Sequence, residues 1–227
     1  MKHKLFGFSF VIFVLVISAF LQPAAISYGA DQDRNSERDY IITRMKEREK
    51  SLKTLTATFV QTKKSVLLKD PLKSEGTLYY EAADKMLFKI VQPSRALILM
   101  KSRKLLTYYP DLARGKERFI GRNVLKEYFG VGRSVEELYK QYTIKIIDKS
   151  AEGTYRLQLH PKIKAIAKRI EVIELEVTEG KWLPELIYFR QKKGDYTSIR
   201  LEYTSLNQPL PAGIFSITLP DQRHDNI

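Results

Sequence analysis

Lys85-Met86-Leu87-Phe88-Lys89-Ile90-Val91, then Gln92-Pro93-Ser94-Arg95, then Ala96-Leu97-Ile98-Leu99-Met100 and, after Lys101-Ser102-Arg103, Lys104-Leu105-Leu106-Thr107-Tyr108-Tyr109 is the stretch that decides the fold. Met86, Phe88 and Ile90 point one way and Lys85 and Lys89 the other, which is the two-residue period of a strand with one wet face. Pro93-Ser94-Arg95 turns the chain into a second strand over Ala96–Met100, and Lys104–Tyr109 forms a third that stops at Pro110-Asp111. Three short strands joined by tight turns pair antiparallel.

The same signals extend in both directions. Upstream, Thr56–Thr62 and Gly76–Tyr80 read as strands, the second following Asp70-Pro71. Downstream come Lys116–Ile120, Tyr142–Ile147, Thr154–His160, Arg169–Thr178, Leu183–Arg190, Tyr196–Thr204 and Ile214–Thr218. Ile199, Leu201 and Tyr203 alternate with Arg200 and Glu202, whereas the pattern Ile170, Val172, Ile173, Leu175 slips face at Ile173 and predicts a bulge. Helices are few. Ser36–Leu55, capped by Ser36 with Asp39 three residues on, places Ile41, Met45 and Leu52 on one narrow face with Ile42 beside them. Two short helices are expected at Val124–Phe129 and Val135–Gln141. The class is mainly β (α+β): an incomplete antiparallel barrel or strongly curved sheet of about 11 strands, with the N-terminal helix and the two short helices as a lid. A compact sandwich with a dry core is the rival architecture.

The chain has 227 residues, a formal net charge of +13 and no cysteine. Lys2, His3 and Lys4 precede an apolar run from Leu5 to Leu21, then Pro23 and the small residues Ala24, Ala25, Ser27, Gly29 and Ala30. That is the pattern of a cleaved secretory signal over residues 1–30, with residues 31–227 as one domain; an uncleaved membrane anchor is the alternative for the apolar run. Without cysteine there is neither a disulfide nor a lipid anchor of the lipoprotein type, so an exported, unanchored protein of the periplasm is expected. The positive charge alternates with apolar residues along strands at Lys85, Lys89 and Lys145, as on a solvated sheet face, and no nucleic-acid partner is expected.

Catalytic constellations are missing from the pattern. The histidines are His3, His160 and His224, with no HxxxH or HExxH spacing, no GxSxG elbow and no phosphate-binding glycine loop around Gly130-Val131-Gly132. Glu136-Glu137 reads as a solvated helix face. No enzyme activity, metal or cofactor is expected. By alternation, Leu78, Tyr80, Met86, Phe88, Ile90, Leu97, Leu99, Leu106 and Tyr108 are expected to point into the concavity. Ordinary core is the alternative for each of them.

The order of an N-terminal helix, Phe59-Val60-Gln61, Gly76-Thr77-Leu78, a strand ending in Pro93, Leu105-Leu106-Thr107-Tyr108-Tyr109-Pro110, Pro161-Lys162, Asn207 and Phe215 before Pro220 resembles the periplasmic outer-membrane lipoprotein-carrier (LolA) family. The resemblance covers the chain from about Glu37 to Pro220. It implies an incomplete antiparallel barrel whose apolar interior, covered by helices, binds lipoprotein acyl chains without chemistry on the cargo. Met86 and Phe88 match positions that family uses for its interior. The resemblance further implies a monomer that takes acylated lipoproteins from an inner-membrane releasing transporter and hands them to an outer-membrane acceptor. A lipid-sensing envelope-stress regulator with the same fold is the alternative. Two departures mark a divergent member: Ala82-Ala83 stands where the family has the Arg-Pro whose arginine latches the lid, with Lys85 as the nearest substitute, and Lys101-Ser102 replaces an Asp-Gly turn.

Overall fold

The computed structural model describes residues 30–82, 84–119 and 135–219. The signal expected over residues 1–30 falls, Ala30 apart, outside these residues, as do the helix expected at Val124–Phe129, Ala83, Ile120 and Pro220.

A long helix, α1 (Ala30–Ser51), opens the described chain. It begins before Ser36, so that residue lies inside the helix instead of capping it. It ends at Ser51 because the chain from Thr54 is already paired in a strand, where the β-branched Thr54, Thr56 and Thr58 fit. Among the described residues eleven strands follow: β1 (Thr54–Lys64), β2 (Leu72–Glu81), β3 (Lys85–Gln92), β4 (Ala96–Lys101), β5 (Lys104–Tyr109), β6 (Arg114–Phe119), β7 (Tyr142–Lys149), β8 (Thr154–Pro161), β9 (Ile170–Thr178), β10 (Pro184–Gln191) and β11 (Tyr196–Leu206). Two short helices interrupt them, α2 (Val135–Gln141) and α3 (Lys164–Ala167). The first has the bounds expected from the sequence. The second has no counterpart among the expected elements.

All the strands lie in one antiparallel sheet, ordered β6-β5-β4-β3-β2-β1-β11-β10-β9-β8-β7. Consecutive strands are neighbours within each half, β1–β6 and β7–β11, and the pairing of β1 with β11 joins the two halves. Among the described residues β6 and β7 are the edges, and the sheet is curved and open. The bulge in β9 exists, but the register change falls between Arg190 and Gln191, where Val172 and then Ile170 are their partners; Glu171, not Ile173, is the extra residue.

Directly paired residues share a face, so the register assigns the sides. Leu78, Phe88 and Ile98 form one row, and Tyr80, Met86, Met100 and Leu105 the next. Through Phe59, Leu201, Ile187, Leu175 and Leu157 this side continues across to β8. It is called the inner face below. Two buried clusters share it: one centred on Phe59, Phe88, Met86 and Leu201, the other on Ile144, Tyr155, Leu157 and Val177 with Ile41 and Ile42 of α1. A third cluster, Leu87, Leu99, Leu106 and Phe215, lies on the opposite, outer face.

Ile214–Thr218 is therefore not a strand. The segment Leu210–Leu219 runs without strand structure and lays Leu210, Ile214, Phe215, Ile217 and Leu219 over the outer face of β3–β5. Gly115 marks where it crosses β6: a Cβ there would stand 2.2 Å from the Leu219 side chain. At Gly76 the demand comes from the sheet itself, since a Cβ would stand 2.0 Å from the Lys89 carbonyl oxygen beside the β2–β3 bulge.

Candidate functional site

On the inner face, Leu78, Tyr80, Met86 and Phe88 are buried, and Ile90 packs against them half-buried. Phe88 meets Phe59 edge to face at 5.5 Å between ring centroids. These five residues are brought together as the alternation of β2 and β3 predicted.

Leu97, Leu99, Leu106 and Tyr108 are not with them. Leu97 pairs with Lys89 and Tyr108, and Leu99 with Leu87 and Leu106, which puts all four on the outer face under Phe215 and Ile214. The residues that β4 and β5 do send to the inner face are Ile98, Met100 and Leu105. Leu55, Ala57 and Phe59 of β1 and Leu201 of β11 join the same cluster. Their sequence signal was the β1–β11 pairing, which no local pattern announces.

α1 crosses the inner face. Its N-terminal half is held by apolar burial of Ile41 and Ile42 and by aromatic contacts around Trp182, the only tryptophan. Tyr40 packs edge-on against that indole at 5.7 Å, Tyr155 stacks on it at 6.3 Å, and the Arg44 guanidinium lies 5.8 Å from its centre. The C-terminal half is different. Lys46 and Glu49 form an ion pair with only 13% and 23% of their side chains exposed, and Arg48 Nε is buried with no hydrogen-bond partner. Glu49 is close enough to Tyr80 to help burial raise its hydroxyl pKa. This end of α1 thus carries partly buried charge, with Glu49 beside Tyr80 of the apolar face, which makes a weak seam.

Polar ties fix the two ends of this helix. At its C-terminal end Asn207, at φ +58°, accepts from the Lys53 amide at 2.7 Å and donates to the Ser51 carbonyl at 3.0 Å. Near the start, Glu37 accepts from Lys149 at 2.7 Å, and Asp39 accepts from Tyr139 of α2. Arg38 donates to the Tyr139 hydroxyl at 3.2 Å and lies 4.9 Å over its ring. Lys85 does not take over as a latch. It points to the outer face, pairs with Glu81 at 2.5 Å and lies over the Phe215 ring. Ala82 is exposed.

Burial and the bond to Asp39 push the Tyr139 hydroxyl up to about 12. Burial works against the Asp39 carboxylate, yet hydrogen bonds from Tyr139 and Arg38 hold it below its usual range. The signs bound a window. The raised tyrosine contributes fully below about pH 10 and loses its contribution as pH rises toward 12; the depressed carboxylate contributes above about pH 4 and loses it on acidification. Trp182 fluorescence, which senses Tyr40 and Arg44 of α1, should therefore change at both limits. Tyr139→Phe should reduce the alkaline change, leaving the part due to Tyr155 stacked on the indole, and destabilise the fold by about 1 kcal/mol; an unaltered alkaline limb would assign it to another group.

Residues 50–218 match the family described as outer membrane lipoprotein carrier protein LolA. The chain belongs to the LolA family. Among solved structures it is similar to an uncharacterised conserved protein from Thermus thermophilus, with a TM-score of 0.53 at 11% identity, covering 82% of this chain and 96% of that one. A LolA superfamily protein from Nitrosomonas europaea aligns with a TM-score of 0.41 at 12% identity over 79% and 97% of the two chains. The lipoprotein LppX of Mycobacterium tuberculosis gives 0.46 at 9% identity over 78% and 98%. No curated protein matches in sequence. The chain is a divergent LolA-family member, and the fold is the one that resemblance implied.

Proposed function

We propose that the processed chain, residues 31–227, is a periplasmic carrier that takes up the acyl chains of lipoproteins, or of other lipids, between α1 and the inner face of the sheet. The observation that carries this reading is the mismatch at that seam. The apolar face that holds Leu78, Tyr80, Met86, Phe88 and Ile98 has Glu49 beside it at Tyr80, and the same end of α1 carries the partly buried Lys46–Glu49 pair and the buried Arg48 Nε instead of an apolar stripe. A helix so placed lifts at small cost, and acyl chains replace it with burial worth about 0.8 kcal/mol per methylene. Met86, Met100 and the tyrosine Tyr80 suit a mobile apolar ligand.

The cargo leaves as it arrived, so the role needs no reaction on it and no metal or cofactor. The partners in this reading are an acylated lipoprotein, an inner-membrane transporter that releases it and an outer-membrane acceptor, with the carrier acting as a monomer. Native mass spectrometry of the protein recovered from a Gram-negative periplasm, with lipid extraction of the same sample, tests it. A co-purifying acylated mass is the expected result. An unliganded mass that stays unchanged when triacylated lipopeptide is offered would overturn the proposal.

A further inference from the structure

The turn between β1 and β2, Ser65-Val66-Leu67-Leu68-Lys69-Asp70-Pro71, carries its apolar residues outward. Leu67 is 89% exposed and Val66 63%, with Leu68 and Leu72 also exposed. Isolated exposed leucines are ordinary; three consecutive apolar residues at the end of a hairpin are not.

The tip is also built. The Leu68 amide closes a turn onto the Ser65 carbonyl at 3.0 Å. Lys64 Nζ braces it from below, donating to the carbonyls of Leu68 at 3.2 Å and Lys69 at 2.6 Å. Asp195, from the neighbouring β10–β11 turn, accepts from the Val66 amide at 2.8 Å and from Ser65 Oγ at 3.3 Å. Two adjacent hairpin turns are thus clamped together, with Leu67 standing clear of both.

Around it cations predominate. Lys69 and Lys73 flank the tip on its own hairpin, and Lys192 and Lys193 do so on the neighbouring turn, all four exposed. Against these four lysines stand two carboxylates, Asp70 in the tip and Asp195 in the neighbouring turn, the latter bonded to the Val66 amide. A projecting apolar point fringed by cations fits a surface that is apolar in depth and anionic at its boundary. A protein groove would demand a matching acidic concavity; a bilayer with anionic headgroups supplies both properties at once.

We propose that the Val66-Leu67-Leu68 tip docks the protein onto anionic lipid bilayers, with Leu67 entering the headgroup–acyl boundary and the four lysines engaging lipid phosphates. Because the tip is already ordered, docking costs little conformational entropy. This surface is independent of what the inner face holds. The test is co-sedimentation of the processed protein with vesicles of phosphatidylethanolamine and phosphatidylglycerol, and with neutral phosphatidylcholine vesicles. Expected are binding to the anionic vesicles, weakening as salt rises from about 0.1 M to about 0.5 M, and a loss of at least about tenfold for Leu67→Glu. Leu67→Ser, which adds no charge, should show the loss of insertion alone. Ile147→Glu, an equally polar change at an exposed site on the edge strand β7, should bind as the parent does. Binding by Leu67→Glu equal to the parent's would overturn the proposal. So would failure of the parent to bind either vesicle, which would assign the tip to a protein partner. Failure of lipid carriage would appear separately, in the mass spectrum.

Discussion

Replacing Phe215 with alanine is expected to cost the fold about 3–5 kcal/mol, measured as a lower urea midpoint with an unchanged slope. The ring is 7% exposed and packs on Leu87, Leu99 and Leu106. A sheet cannot close inward to fill the space that the ring would leave, because its other side is already occupied by the inner cluster. Phe215 also anchors its segment: its carbonyl accepts from Lys101 at 3.4 Å, and Lys85 lies 5.8 Å from its ring centre. Domains of this size are stable by only about 5–15 kcal/mol, so the loss is a large fraction of the total. Lipid uptake per folded molecule should be unchanged, since the outer face is not the proposed site. A variant that kept full stability would show that Leu210–Leu219 is held elsewhere.

The same segment explains where the sequence pattern runs out. β2 and β3 are legible because lysine and glutamate interrupt their apolar residues and mark a side. β4 reads Ala96-Leu97-Ile98-Leu99-Met100 with no interruption, and Leu105-Leu106 of β5 is equally mute. A strand covered on both faces has no polar residue to set its phase. Ile214–Thr218 has the pattern of a strand; it covers the outer face instead, and in doing so makes Leu97, Leu99, Leu106 and Tyr108 apolar for a reason unrelated to the inner face. One misplaced segment therefore moves four residues to the wrong side.

Boundaries fail for a similar reason. The spacing of Ile41, Met45 and Leu52 predicts a helix through Leu55, but Leu55 pairs with Tyr80 and Leu206, and pairing wins over helical periodicity. The Asn207 bracket at the helix end joins positions far apart in sequence, so no spacing rule could find it. The open sheet itself is legible, because regular turn signals between short alternating strands admit few other architectures.

Met86→Glu compared with Leu87→Glu decides which face holds lipid. The two residues are neighbours in β3, 7% and 1% exposed, and they point to opposite sides of the sheet. Both carboxylates would be buried without a partner, at a cost of several kcal/mol, and both would titrate above the usual range. Stability should therefore fall in both variants and recover partly as pH is lowered toward about 5, where the neutral acid prevails. Uptake of a triacylated lipopeptide, scored per folded molecule, separates them. Met86→Glu should abolish it at about pH 8, because the charge would sit beside Tyr80 and Met100 where acyl chains are to lie, and should regain part of it at about pH 5. Leu87→Glu should bind as the parent does. Met86→Ala and Leu87→Ala, each costing about 2–5 kcal/mol, give the same contrast where the acidic pair is too unstable to assay. Uptake that falls equally in both members of a pair would follow stability alone and would remove the inner face as the binding site.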